Sequence, residues 1–216
     1  IPRGFVGEGV DPEVLASFNA TVKKLEAKGY EVNEVDLPNI KYALAVYYVI
    51  MPAEVSTNLA RFDGVRYGLH VDGDNLMEDY CKSRARGFGP ETRRRVMLGA
   101  YVLSSGYYDA YYKKAEEVRA LIRSDFTKLF NDGYSAIITP TTASPAFRIG
   151  EKANDPLSMY LEDIFTVSAN VTGSPAISVP MGFAEREGKK LPLGFQIMAP
   201  HFREDILFKI GRDIEL

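Results

Sequence analysis

Several common classes of protein are excluded by what the sequence lacks. Cys81 is the single cysteine in 216 residues, which excludes an intramolecular disulfide framework and, without Cys or His neighbours, a structural zinc cluster. No apolar run reaches the roughly 20 residues that a membrane helix needs. The formal net charge of −3 and the pI of about 5.6 argue against nucleic-acid binding through overall charge. We therefore expect a cytoplasmic protein, or one of an organelle matrix in a eukaryote, without membrane attachment.

The sequence also lacks the common motifs for cofactors and nucleophiles. It has no phosphate-binding loop, no dinucleotide-binding glycine motif and no Gly-x-Ser-x-Gly segment. His70 and His201 lie far apart in the chain, and neither is next to a serine or cysteine, so surface positions are expected for both. We therefore nominate no catalytic residue, no metal site and no cofactor in this chain.

The order of the predicted elements indicates an α/β fold. Asp11 and Pro12 begin a predicted helix that ends near Gly29, and residues 30–37 follow as a strand. A strand, a helix and a strand within 37 residues are typical of a βαβ unit, which predicts a largely parallel sheet. Pro52 divides an apolar helical region into two hinged stretches. Three further strands are predicted, at residues 136–140, 176–179 and 194–198.

Three consecutive arginines near the start of a predicted helix, Arg93, Arg94 and Arg95, cannot all face solvent, because each helical residue turns by about 100°. Arg95 precedes the apolar residues 96–98 and is expected to point inward. A buried arginine requires an anion. Either a carboxylate of the protein or the carboxylate of a ligand satisfies this requirement.

Asp163 lies in an apolar segment that we predict to be one helix from residue 155 to about residue 169. Its helical neighbours Met159, Tyr160 and Val167 are apolar or aromatic, so Asp163 is expected on a buried face and paired with a cation. That cation is either Arg95 or an ammonium group of a ligand. Together with Tyr47 and Tyr48 of the apolar helix, the two charges form a plausible pocket for a free amino acid.

The sequence resembles the A subunit of the glutamyl-tRNA(Gln)/aspartyl-tRNA(Asn) amidotransferases along nearly its whole length. Residues 47–68 (YYVIMPAEVSTNLARFDGVRYG) and 94–99 (RRVMLG) carry the resemblance most specifically. It continues through residues 104–112 (SSGYYDAYY), 155–163 (DPLSMYLED), 175–180 (PAISVP) and 192–196 (PLGFQ). The matched segments belong to the C-terminal half of that protein, so the whole of residues 1–216 is predicted to be one portion of an amidase-signature domain.

The resemblance implies a mixed β-sheet flanked by helices and a glutamine-hydrolysing function. Amidase-signature enzymes use a Ser–cis-Ser–Lys triad, in which lysine is the base and one serine attacks the amide carbon. This sequence contains no counterpart of the triad, so the chain alone is expected to be inactive. Residue by residue, Arg95 corresponds to the arginine that binds the α-carboxylate of glutamine and Asp163 to the aspartate that binds its α-ammonium group. Tyr47 or Tyr48 corresponds to a tyrosine that lines the pocket.

The resemblance also implies partners. A B subunit that handles tRNA, ATP and Mg²⁺ would use the ammonia to amidate the misacylated tRNA, and a C subunit would contact both. Two alternatives remain open: a general amidase of the same family that acts on a small amide, and a non-catalytic fragment that binds a partner.

Overall fold

The described part of the chain combines helices with one small β-sheet, which confirms the expected α/β class. The computed structural model describes residues 1–7, 9–152 and 155–215, without the side chain of residue 156. Within these ranges the helices are α1 (Pro12–Ala27), α2 (Ala43–Leu59), α3 (Leu76–Gly87), α4 (Pro90–Val102), α5 (Lys114–Asn131), α6 (Pro156–Leu161), α7 (Val167–Thr172) and α8 (Glu204–Glu215). The strands are β1 (Ile137–Pro140), β2 (Ala176–Arg186) and β3 (Lys189–Met198). A 3₁₀ turn at Ile40–Tyr42 and a π-helical turn at Tyr108–Lys113 precede α2 and α5.

The three strands form an antiparallel sheet in the order β1–β3–β2. Glu187 and Gly188 connect β2 to β3 with φ angles of 54° and 73°, the left-handed pair that a tight hairpin turn requires. A two-residue connection can join only antiparallel strands, because parallel strands need a long crossover. The three predicted strands are found, but β2 continues seven residues past its predicted end and β3 begins five residues before its predicted start. The prediction of a largely parallel sheet is wrong for them.

The predicted βαβ unit at the start of the chain is reduced to a single parallel bridge. Pro2 pairs with Val35 across helix α1, and the amide of Arg3 donates to the Val35 carbonyl at 2.8 Å. The Val35 amide donates to the Ile1 carbonyl at 2.9 Å. The crossover by a helix was thus predicted correctly, but residues 30–37 form no extended strand.

The chain divides into two compact units, one of residues 1–44 and 119–216 and one of residues 45–118. In the first unit α1 and α8 pack on the sheet, and the rings of Phe18 and Phe195 stack with centroids 5.1 Å apart. Their apolar faces exclude water from a continuous core. The most buried members of this core are Val14, Phe18, Leu25, Ala184, Leu193, Phe195, Ile197, Ala199 and Leu207. Compactness does not define an evolutionary domain, so the assignment of residues 1–216 to one domain portion stays a prediction.

A close approach between α2 and α4 organises the second unit. Helix α2 continues through Pro52 without interruption, so the predicted hinge there is wrong. Gly99 lies against this point, and a Cβ atom at Gly99 would overlap the Pro52 carbonyl group and lie 2.8 Å from the Ser56 Cβ atom. Only glycine allows this contact between the two helices.

Gln196 on the central strand joins the sheet to the segment between α6 and α7. Its buried amide nitrogen donates to Thr139 Oγ1 at 2.9 Å and to the Phe165 carbonyl at 3.0 Å. Phe165 is itself buried, with its ring edge-on to Phe5 at 5.4 Å. These contacts fix the segment to the core of the first unit.

We predict that Gly99→Ala lowers the free energy of unfolding by about 1–3 kcal/mol, because the added methyl group forces α4 away from α2. Gly87→Ala is the control, since a Cβ atom there meets Leu69 at an ordinary 3.8 Å. Urea unfolding of both variants measures the difference. Equal stability of the two would contradict the packing argument.

We further predict that Gln196→Leu costs about 1–3 kcal/mol, because Thr139 and the Phe165 carbonyl lose their buried donor. The control is Asn170→Leu, which removes an exposed amide that donates to the Thr166 carbonyl at 3.2 Å. The control is expected to change stability by less than about 0.5 kcal/mol. A Gln196→Leu protein as stable as the control would refute the anchoring role.

Candidate functional site

Arg95 is the least exposed of the three consecutive arginines. Arg93 and Arg94 are exposed, whereas the Arg95 side chain is 28% exposed, as the helical spacing predicted. Helix α4 begins at Pro90 and carries Glu91 in its first turn, where a carboxylate interacts favourably with the helix dipole. Arg95 lies one turn before Gly99, so the same face that contacts α2 also directs Arg95 toward that helix.

Side chains of α2 and α4 surround the Arg95 guanidinium in the second unit. Its Nε donates to Glu91 Oε1 at 2.8 Å, and its Nη1 donates to Met51 Sδ at 3.4 Å. The guanidinium carbon lies 6.0 Å from the ring centroid of Tyr48. The Tyr48 ring is edge-on to the half-buried Tyr47 at 5.2 Å. The arrangement is a cation held between one carboxylate and the aromatic surface of α2.

The charge of Arg95 is secured by this environment. Burial disfavours the guanidinium, but the hydrogen bond and charge of Glu91, with smaller contributions from Tyr48 and Tyr47, raise the pKa of Arg95 above its ordinary value. Arg95 is therefore a permanent cation at any physiological pH. Such a group can bind an anion without a proton being gained or lost.

Asp163 lies in the turn between α6 and α7, not within one continuous helix as the sequence predicted. Asp155 caps α6 by accepting from the Ser158 amide at 3.1 Å, and the helix ends at Leu161. The Asp163 carbonyl accepts hydrogen bonds from the Thr166 amide at 3.0 Å, the Thr166 hydroxyl at 3.1 Å and the Val167 amide at 3.1 Å. The backbone of the half-buried Asp163 is thus fixed on its C-terminal side.

The structure brings three of the four nominated residues together. Tyr47, Tyr48 and Arg95 form one cluster in the second unit, whereas Asp163 belongs to the first. The counter-charge of Arg95 within its unit is Glu91, one of the protein carboxylates that the sequence left open as partners. The role of all four residues in binding a ligand stays a prediction.

Sequence reasoning missed Glu91 and Met51, which contact Arg95, and the ion pair of Glu162 with Lys152. Glu91 stands four residues before Arg95, the spacing at which helical side chains of opposite charge meet, so this signal was available. The contact of Arg95 with Met51 and the ion pair of Lys152 with Glu162 result from tertiary packing, and no sequence spacing predicts them.

The remaining reactive side chains have local roles. His70 contacts the Gly64 carbonyl at 2.6 Å and Asp72 at 3.1 Å; the Gly64 bond, ahead of Asp72, raises the pKa of His70. His201 contacts the Thr172 carbonyl at 3.1 Å, and Cys81 is exposed. Across residues 1–7, 9–152 and 155–215 no three His, Cys, Asp or Glu side chains group as metal ligands. In the same ranges no helix has the length and apolar content to cross a membrane.

The sequence matches a known protein family. The family model for amidases matches residues 1–208. The chain is 51% identical over its full length to the A subunit of glutamyl-tRNA(Gln) amidotransferase from Azorhizobium caulinodans, and 53% identical to the corresponding protein of Halalkalibacterium halodurans. It spans 43% and 44% of these two relatives, less than half of their length.

A solved structure shows the same fold. The crystal structure of the A subunit of glutamyl-tRNA(Gln) amidotransferase from Thermotoga maritima matches 99% of this chain, and 41% of its own, with a TM-score of 0.71 and 39% sequence identity. The expected amidase-signature fold, an α/β fold with helices flanking a β-sheet, is thereby confirmed, and the three described strands of this portion pair antiparallel. The chain belongs to the amidase family and, over its full length, is similar to a portion of amidotransferase A subunits.

Proposed function

We propose that this chain supplies the glutamine-recognition part of a glutamine-dependent tRNA amidotransferase. The observation that carries the proposal is the identity of 51% and 53% over the whole chain with two amidotransferase A subunits, with Arg95 held on α4 beside Tyr48. We propose the substrate, the reaction and the partners for the intact protein of which this chain would be one part.

Arg95 is suited to bind the α-carboxylate of glutamine. Glu91 engages Nε, while a carboxylate is bound through two parallel hydrogen bonds from the outer nitrogens. One of these nitrogens, Nη1, donates to the thioether of Met51, which is a weak acceptor. A ligand carboxylate would replace this weak contact by a charge-assisted hydrogen bond.

Asp163 is proposed to bind the α-ammonium group, and Tyr47 or Tyr48 to line the pocket. The half-buried position of Asp163 strengthens an ion pair relative to one in water. Its backbone is held in place before any ligand arrives, which lowers the entropic cost of binding.

The chemical step belongs to residues outside this sequence. A Ser–cis-Ser–Lys triad in the intact protein would attack the side-chain amide of glutamine and release ammonia. A B subunit with ATP, Mg²⁺ and tRNA would consume that ammonia, and a C subunit would stabilise the pair. We propose the cytoplasm, or an organelle matrix, as the location.

Two other functions make different predictions. A general amidase would act on small amides without an α-amino or α-carboxyl group, and a non-catalytic fragment would co-purify with a B-type subunit without glutaminase activity. The pairing of an arginine with an aspartate favours glutamine over a simple amide, which offers no charged group to bind.

We predict that the 216-residue chain alone releases no ammonia from glutamine, because it lacks the nucleophile and its base. A coupled ammonia assay on a purified sample measures this. Sustained turnover by a sample free of other amidases would contradict the assignment of the chemistry to the triad.

In the intact subunit, Arg95→Ala is expected to raise the KM for glutamine through the loss of a charge-assisted contact of about 1.5–3 kcal/mol. Arg94→Ala is the matched control, since Arg94 also pairs with Glu91 but is exposed. Steady-state kinetics of both variants distinguish the two positions. An unchanged KM in Arg95→Ala would leave Arg95 as a purely structural partner of Glu91.

Asp163→Asn is expected to abolish the preference for glutamine over glutarate monoamide, which is glutamine without the α-amino group. The α-ammonium group of glutamine contributes about 1.5–3 kcal/mol to the free energy of binding only if a carboxylate of the protein binds it. The ratio of kcat/KM for the two substrates measures this contribution. A wild-type ratio in Asp163→Asn would overturn the assignment of Asp163.

A further inference from the structure

An ion pair that has no part in the proposed glutamine binding lies next to the turn that carries Asp163. Glu162, the residue before Asp163, pairs with Lys152, and the two side chains are only 16% and 17% exposed. The Ser144 hydroxyl lies 2.9 Å from both oxygens of the same carboxylate. A carboxylate with two partners has little rotational freedom.

Lys152 is also restrained on its other side. Its ammonium group lies 4.8 Å from the ring centroid of Phe147, within the range of a cation–π interaction. A lysine placed between a carboxylate and an aromatic face keeps one position, unlike an exposed lysine with many rotamers.

The segment that provides Ser144 is anchored to the core of the first unit. It follows β1, and the Thr141 amide donates to the Gly194 carbonyl at 2.8 Å. The Ala143 carbonyl accepts from the Asp11 amide at 2.8 Å, at the start of α1. The contact of Glu162 with Ser144 therefore connects the Asp163 turn to backbone that is bonded to the sheet and to α1.

The Asp163 turn is thus fixed at three places: Glu162 by Lys152 and Ser144, the Asp163 carbonyl by Thr166 and Val167, and the Phe165 carbonyl by Gln196. The contacts of Thr166 and Val167 lie within the turn, and Gln196 acts on its C-terminal side. Lys152 and Ser144 restrain the N-terminal side of the turn, between α6 and Asp163, through their contacts with Glu162.

We propose that Lys152 and Glu162 are positioning residues that set the Asp163 carboxylate for the α-ammonium group of an amino-acid substrate. This inference rests on the proposed function, since it concerns the same site. Neither side chain touches the substrate. Their loss displaces Asp163, and a small displacement of a charged contact weakens binding strongly.

The test is the preference for glutamine over glutarate monoamide in the intact amidotransferase complex that contains this chain. Lys152→Met is expected to lower the ratio of kcat/KM for glutamine to that for glutarate monoamide about tenfold, with kcat for glutamine within about twofold of wild type. Because both substrates are measured on the same sample, the ratio does not depend on the folded fraction. A general loss of stability would lower both values equally and leave the ratio unchanged, which would contradict the positioning role.

The charge-reversed double variant Lys152→Glu/Glu162→Lys tests whether the pair itself is responsible. It is expected to recover part of the wild-type ratio, because the ion pair is restored with the two charges exchanged while the contacts with Ser144 and Phe147 are lost. A ratio no higher than that of Lys152→Met would contradict a role of the pair itself. Lys82→Met is the matched control, as it breaks a Lys–Glu pair of 2.8 Å whose side chains are 48% and 41% exposed. The control is expected to keep the wild-type ratio.

Asp163→Asn, measured in parallel, separates failure of this inference from failure of the proposed function. A wild-type ratio in Lys152→Met together with a lost preference in Asp163→Asn would overturn the positioning role and leave the glutamine site intact. An unchanged ratio in Asp163→Asn would overturn both.

Discussion

A charged side chain that leaves bulk water needs a counter-charge, and this requirement organises the surroundings of both nominated charges. In the second unit Glu91 holds the guanidinium of Arg95 against the Tyr48 ring. In the first, Lys152 and Ser144 hold Glu162 beside Asp163. In each unit a protein carboxylate has its partner within the protein: Glu91 pairs with Arg95 itself, and Glu162 pairs with Lys152 next to Asp163.

Local structure could be predicted from the sequence where a residue type strongly favours one backbone position, such as Asp or Pro at the start of a helix. Asp11 and Pro12 at the start of α1 follow from capping chemistry, whereas the antiparallel pairing of the strands around Glu187 and Gly188 was not predicted. The inward orientation of Arg95 followed from the helical rotation of three adjacent arginines. The family followed from extended motifs and could not have been reached by periodicity.

Tertiary packing decided the features that the sequence did not predict. A hinge was expected at Pro52, but α2 continues past it and presents the backbone on which Gly99 packs. Asp163 was placed by assuming an unbroken helix, and the structure instead ends α6 at Leu161 and holds the turn through Gln196 and Glu162. The residues that make these contacts are not neighbours in the sequence, so no local sequence pattern predicts the contacts.

We propose that Arg95 and Asp163 bind the two charged ends of glutamine. A crystal structure of the intact protein with bound glutamine tests it most directly. We expect an outer nitrogen of Arg95 at about 2.7–2.9 Å from the α-carboxylate, and an oxygen of Asp163 at the same distance from the α-ammonium group. Glutamine bound with its charged ends on other residues, or the two side chains paired with each other, would contradict it.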